Sequence, residues 1–303
     1  MRIVVHGQQA FGRAVLEKLL ERGEDVVAVC CAPEKEGRPD PLADLAREKG
    51  LPLHQPDSWK TPEALELMQS FNADVCMMAY VLLFVPEAVR DAPKYGTFQY
   101  HPSLCPMHRG PSSINWPIAM GKSRTGLTIF WPDDGLDEGP IMLQKTCDIG
   151  PDETLGDVYF KKLFPMGVDA MIEGLELVKA GVIIKHDQRL DDGSYESWFK
   201  KKAAAIDWSE PSQTTYNKIR AANPAPGAWT THDGQTLQIY DSAHLDGTGT
   251  PGEIVTVDAD GIVVQGEGGR IRVKRVRPEG GGKQPASEWA IAVGLTEGQS
   301  LGG

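Results

Sequence analysis

The sequence predicts an α/β chain in two parts, a doubly wound, mostly parallel sheet followed by a small C-terminal β-barrel. Three observations predict it. Apolar runs alternate with helical patterns through about the first two hundred residues, and from Thr125 two strand-like runs flank a polar turn. Past about Tyr195 the chain breaks into short β-like pieces divided by Gly, Asp and Pro. A length of 303 residues is long for one domain. The boundary is placed in the charged segment FKKKAAAIDW, giving residues 1–203 and 204–303.

Residues 3–6 and 26–31 are short, continuous and Val-rich, the pattern of strands buried on both faces. Between them Phe11, Val15 and Leu19 recur at helical spacing. Residues 73–79 and 96–100 read as the next strands, and 125–131 and 141–147 as the pair around DDGLDEG. A helix is expected over 152–180, with Asp152 or Thr154 to cap it, Pro165 to kink or break it and Gly181 to end it. In the C-terminal part a helix at 212–222 precedes strands at 236–240, 252–257, 261–265 and 270–276.

The net charge of −11 excludes broad nonspecific nucleic-acid binding, which needs clustered Lys and Arg. Cys30, Cys31, Cys76, Cys105 and Cys147 are odd in number and form no C-x-x-C pair, so neither a disulfide framework nor a zinc site is indicated. MRIVVHG opens directly into a strand, with no signal peptide and no apolar stretch of bilayer length. A cytoplasmic protein without membrane contact is expected.

Gly7-Gln8-Gln9-Ala10-Phe11-Gly12 stands where a dinucleotide fingerprint would, with Glu34 beyond it as a candidate ribose acid. Gln9 occupies the middle glycine position, where a side chain keeps a pyrophosphate off the backbone, so a tight strand-to-helix turn is the better reading. Gln99-Tyr100-His101-Pro102-Ser103-Leu104-Cys105-Pro106 begins at a strand's carboxyl end, where ligands bind in open α/β sheets. Asp133-Asp134-Gly135-Leu136-Asp137-Glu138-Gly139-Pro140 lacks the spacing of a calcium loop. Leu136 before Asp137, and Gly139-Pro140 after, indicate one carboxylate held inward while its neighbours face water. His54, His108, His186, His232 and His244 show no metal-ligand spacing, although His108 is near enough to His101 to line the same cleft.

QYHPSLCP, HRG and DDGLDEGP together resemble the signature of the 10-formyltetrahydrofolate formyltransferase and hydrolase superfamily. HGQQAFG, CAPEKEGRPDPL, FVPEAV, LQK, IDW and PGAWT extend the likeness along the chain, most of all to the hydrolase domain of 10-formyltetrahydrofolate dehydrogenase and more distantly to methionyl-tRNA formyltransferase. The resemblance implies a Rossmann-like formyltransferase fold with an OB-like C-terminal domain. It implies His101 as the catalytic histidine stabilising a tetrahedral intermediate, and Asp137 as the aspartate activating water. Gln99 stands where transferases carry Asn, which favours the hydrolase branch. The folate pocket it implies uses Tyr80, Leu82, Leu83, Phe84 and Val85, whose pattern alone reads as a buried run, with further contacts from Asp133 and Asp134. The substrate implied is 10-formyltetrahydrofolate, with no metal and no NAD(P) bound by this chain.

Hydrolysis to tetrahydrofolate and formate is the expected reaction; transfer to an amine on tRNA or a small metabolite is the alternative. Arg270, Arg272, Lys274, Arg275 and Arg277 form a basic run, yet residues 201–303 carry ten Lys and Arg against twelve Asp and Glu. That run is read as solvated or packed, and tRNA is disfavoured as a partner. The chain also resembles the front part of a longer multidomain protein.

Overall fold

The Val-rich runs become neighbouring parallel strands. In the computed structural model, which describes residues 1–35 and 37–302, β1 (Arg2–Gly7) is buried from Ile3 onward. Glu36, inside the CAPEKEGRPDPL segment, and Gly303 lie outside the described residues. After β1 come α1 (Gln9–Glu21), β2 (Asp25–Cys30), α2 (Pro41–Glu48), β3 (Leu53–His54), α3 (Pro62–Ser70) and β4 (Val75–Ala79). They are followed by α4 (Glu87–Arg90), β5 (Thr97–His101), α5 (Asn115–Ala119), β6 (Arg124–Phe130) and β7 (Ile141–Asp148). The seven strands form one sheet in the order β3-β2-β1-β4-β5-β6-β7, parallel from β3 through β5 and antiparallel between β5 and β6. The chain leaves β1 to one side and returns to the other at β4, so the carboxyl ends of β1, β4 and β5 form the edge where such sheets take ligands.

The glycine-rich turn after β1 is a packing device. A Cβ on Gly7 would lie 2.2 Å from the Ala79 carbonyl oxygen. Gln9 takes a left-handed φ of 59° and donates its N–H to the Asp40 carboxylate at 2.9 and 3.1 Å, so the first amide of α1 already faces an anion. Glu34, the candidate ribose acid, accepts from the Asp40 N–H at 2.7 Å and pairs with Arg47, which holds its carboxyl down at about 2.

The helix expected over 152–180 is divided. Thr154 caps α6 (Leu155–Val158) through a reciprocal bond with Asp157. One π-turn follows at Tyr159–Leu163, then α7 (Phe164–Lys179) with Pro165 in its first turn. Pro165 has no N–H to continue the ladder, and the wider π-turn ahead of it takes up the missing bond without ending the helix. Asp152 is not the cap; it accepts from the Tyr216 hydroxyl at 2.7 Å.

The chain divides by contact into two compact units interleaved in sequence. One comprises Met1–Gly110, Gly126–Cys147 and Lys162–Tyr195, the other Pro111–Thr125, Asp148–Lys161 and Glu196–Gly303. The second unit carries α8 (Ser212–Ala221), β8 (Ala228–His232), β9 (Gln235–Ile239) and β10 (Ser242–Leu245). It continues with β11 (Ile254–Asp258), β12 (Gly261–Gly266), β13 (Gly269–Val273), β14 (Arg275–Pro278), β15 (Gln284–Pro285) and α9 (Ala286–Val293). Two four-stranded antiparallel sheets, β10-β13-β12-β11 and β15-β14-β9-β8, stand where a small barrel is expected. The basic run read as one strand is two: the chain passes from one sheet to the other at Lys274, whose N–H bonds the Asp241 carbonyl at 2.8 Å. Among the described residues no helix is long and apolar enough to cross a membrane.

Candidate functional site

Strand alternation sets the first side chains. On β5, Tyr100 points to one face and stacks on Phe11 with ring centroids 4.2 Å apart, leaving Gln99 and His101 on the other. Both sit beside β6, in register with Phe130 and Thr128. His101 is the last residue of the strand and only 6% exposed. The loop beyond it is held by Thr128, whose hydroxyl donates to Ser103 O at 2.7 Å and accepts from the Cys105 N–H at 3.1 Å. Gln144 adds a bond to Cys105 O at 2.8 Å. Burial pushes the Cys105 thiol up to about 11, so it rests protonated near neutral pH.

The two ring nitrogens of His101 have different partners. Nε2 lies 3.2 Å from the His108 carbonyl oxygen, which can only accept, so Nε2 carries a proton. Nδ1 faces the Asp137 Oδ2 at 3.5 Å. His108 thus meets His101 through its main chain, its own φ being 55°.

Asp137 is the buried acid of its loop, whereas Asp133 and Asp134 are exposed. Its φ is 57°, a left-handed conformation that costs a non-glycine residue about 1–3 kcal/mol and persists only where surroundings impose it. The surroundings are specific. Gly110 N–H donates to Asp137 Oδ2 at 3.0 Å, and Gln188 Nε2 donates to the carbonyls of Asp137 and Gly139 at 3.0 and 2.8 Å. A Cβ on Gly139 would fall 1.9 Å from Trp131 O, so only glycine allows this approach. The half-buried ion pair of Arg109 with Glu138, and the bond from Arg109 N–H to Ser194 O at 3.0 Å, fix the segment that supplies the Gly110 amide.

A cavity of about 260 Å³ opens beside this pair. Leu82, Leu83, Phe84 and Val85 line one side, Asp133, Asp134 and Asp137 another, with Gln99 between. Tyr80, left-handed at φ 67° and 45% exposed, is not on the wall. Neither is His101, which reaches the cavity through Asp137. The Gln99 side-chain amide makes no hydrogen bond among the described residues and lies at the cavity wall. The volume falls a little below the ~300 Å³ at which ligand sites begin, which suits a ring system whose remaining parts extend outward.

Sequence reasoning missed Met78, Phe130 and Arg90 on the wall, and Gln188 behind Asp137. Met78 and Phe130 belong to runs read as strands. Gln188 lies in the polar stretch HDQRLDD, which has no periodicity to mark it. Among the described residues no group of three His, Cys, Asp or Glu is placed to hold a metal ion.

The formyl transferase family model matches residues 1–175, and that of the formyl transferase C-terminal domain matches residues 199–293. The chain belongs to the formyl transferase family. Across 96% of its length it is 36% identical to mitochondrial 10-formyltetrahydrofolate dehydrogenase of Mus musculus, spanning 33% of that protein. The chain therefore covers about a third of the length of the dehydrogenase relatives it matches. It is also 34% identical to methionyl-tRNA formyltransferase of Geotalea uraniireducens, over 100% of this chain and 98% of that one. Among solved structures, HypX from Aquifex aeolicus in complex with tetrahydrofolic acid superposes with a TM-score of 0.69 at 18% identity, covering 96% of this chain and 47% of HypX. An N-formyltransferase from Helicobacter canadensis gives 0.66 at 16% identity, covering 89% and 98%. At these identities the superpositions establish the formyltransferase fold.

Proposed function

We propose that this formyl transferase family member cleaves the formyl group of 10-formyltetrahydrofolate by hydrolysis, giving tetrahydrofolate and formate. The carrying observation is the apposition of His101 and Asp137, 3.5 Å apart and both buried, at the edge of a partly apolar cavity. The pteridine ring would enter between the 82–85 and 133–137 loops, with Tyr80 at the approach. The formyl group on N10 is an amide and resists water unless the nucleophile is deprotonated, the oxyanion stabilised and the leaving nitrogen protonated. Asp137 takes a proton from water as its oxygen bonds the formyl carbon. His101, which lies behind Asp137, turns an N–H from that carboxylate to the oxyanion, with Gln99 as the donor already at the wall. As the carbon–N10 bond breaks, the proton held by Asp137 passes to N10, and the formic acid released ionises to formate. Acid–base catalysis of this kind supplies ~10²–10⁴ in rate, and an oxyanion donor ~10²–10³.

Residues 1–203 would act as the catalytic and folate-binding domain and 204–303 as the C-terminal domain. None of the five cysteines forms a disulfide, which suits a reducing cytoplasm. The dehydrogenase relatives support a role as the front part of a longer multidomain protein, in which NADP-dependent oxidation would fall to other domains. One observation favours a second reading: the end-to-end match to a methionyl-tRNA formyltransferase supports transfer to an amine. Incubating the protein with 10-formyltetrahydrofolate alone and assaying formate separates the two. Formate release without an amine is expected; release or transfer that appears only when an amine is added overturns hydrolysis.

A further inference from the structure

Arg90 ends the single turn of α4, yet its side chain is almost wholly buried and lies on the cavity wall. Its guanidinium donates through Nη1 to Val85 O at 2.7 Å and through Nη2 to Asp134 Oδ1 at 2.9 Å. One planar group therefore spans the two loops that face each other across the cavity. The Arg90 carbonyl accepts from the Thr97 hydroxyl at 2.6 Å, which anchors this end of α4 to the start of β5. Nε is buried with no acceptor. A buried cation needs a counter-charge, and among the described residues the one ion pair Arg90 forms is with Asp134, whose side chain is 70% exposed.

The asymmetry decides which partner moves. The guanidinium is enclosed and anchored, so it stays; the exposed carboxylate is drawn to it and carries its loop along. Asp134 lies three residues before Asp137, and both line the cavity. We propose that Arg90 is a positioning residue, a strap that holds the 133–137 loop across the cavity from Val85 and thereby sets both the width of the ring pocket and the place of Asp137. The strap itself stands on the geometry; that its occupant is a folate rests on the function proposed above. A pocket held open before the ligand arrives avoids an ordering cost on binding, so loss of the strap weakens binding as well as turnover.

The test compares wild type, R90M, D134N and the double variant. Three quantities are read: backbone hydrogen exchange over residues 135–138 without ligand, equilibrium binding of tetrahydrofolate, and kcat and KM with 10-formyltetrahydrofolate. Each single variant is expected to speed exchange and to weaken tetrahydrofolate binding and kcat by about tenfold, and the double to be no worse than either single, as for two partners of one contact. Wild-type exchange in the single variants, or losses that multiply in the double, overturn the strap. So does a loss of thermal stability with kcat and KM unchanged. Should R90M fail to fold, D134N carries the test alone, and unchanged exchange and kinetics in it overturn the proposal. If wild type does not bind tetrahydrofolate while exchange still rises in the variants, the strap stands and the folate reading falls.

Discussion

In the C-terminal unit, polar side chains mostly bond one another, Arg220 Nε being an exception, whereas at the carboxyl end of β5 they are positioned and then left open. Arg220 donates to Gly150 O, Glu153 O and Asn217 Oδ1 at 3.2, 2.9 and 2.6 Å. Tyr216 donates to Asp152, and burial together with that carboxylate pushes the phenol up. Arg272 makes two bonds to Asp258, at 2.7 and 2.9 Å. At the cavity the pattern reverses. Asp137 is held in a left-handed backbone by Gly110 and Gln188, and the Gln99 amide beside it has no partner among the described residues. Networks whose members bond one another specify a fold, and unspent donors and acceptors at a cavity specify chemistry.

The sharpest way to break this contrast is to cut one group from each region. His101→Ala or Asp137→Asn is expected to lower kcat at least ~10³-fold while the chain stays folded, because the groups removed act on the transition state. Arg220→Met should do the opposite. It leaves two half-buried carbonyls and the Asn217 amide oxygen without their donor, at about 1–3 kcal/mol of stability, and leaves kcat near wild type. Kinetics and thermal melts of the three variants check this. Near-normal turnover in either site variant removes His101 and Asp137 from the mechanism.

Gln99→Leu is the next test, since it keeps the bulk and deletes the unspent amide. Turnover should fall ~10- to 100-fold, somewhat less than for a rigid oxyanion donor, and tetrahydrofolate binding should hold. A fall in binding with kcat preserved would show Gln99 to be a ring contact instead.

A second histidine on the same sheet sharpens the comparison in another way. His6, on β1, is fully enclosed against Trp59, with ring centroids 4.8 Å apart, and burial lowers it from 6.5 to about 3. Its folded form stays neutral while the unfolded chain takes up a proton below 6.5. His6 therefore costs nothing above that value, and stability declines as pH falls from there toward 3. By about pH 5 the decline amounts to about 2 kcal/mol. His6→Leu should flatten that part of a denaturant-midpoint-against-pH curve. An unchanged slope would mean that His6 is protonated in the folded chain.

The sheet and the edge that carries the cavity were legible because they rest on local signals: Val-rich runs, helical spacing, and a histidine where a strand stops. His101, Asp137, Gln99, Leu82, Leu83, Phe84, Val85, Asp133 and Asp134 meet at or beside one cavity. What escaped was non-local. Gln188 bonds Asp137 from 51 residues away, and Arg90 bonds Asp134 across 44. Neither has a period or motif to mark it, because its partner is chosen by the folded backbone. The break at Lys274 escaped for a related reason, since alternating basic and apolar residues fit one strand as well as two.

That break bears on the smallest expected effect. A continuous basic strand would present its charges in one row to a polyanion. Here Arg270 and Arg272 belong to one sheet and Arg275 and Arg277 to another. Arg272 is paired with Asp258, Arg270 donates to Gln265 at 2.9 Å, and Arg277 donates to Gly281 O at 3.1 Å. Arg275 is half exposed, 3.8 Å from Asp241. With two of these four groups partly neutralised by acids, the run offers little net positive field, and the phosphate contacts that make binding salt-sensitive are few. Arg275→Ser with Arg277→Ser should change formate release by less than about twofold, as surface substitutions do. A gel-shift titration with initiator tRNA should show weak binding in both forms. If wild type instead binds tightly and the double variant loses about tenfold at low salt, the C-terminal sheets form a polyanion site and the weight moves from water to tRNA as the formyl acceptor.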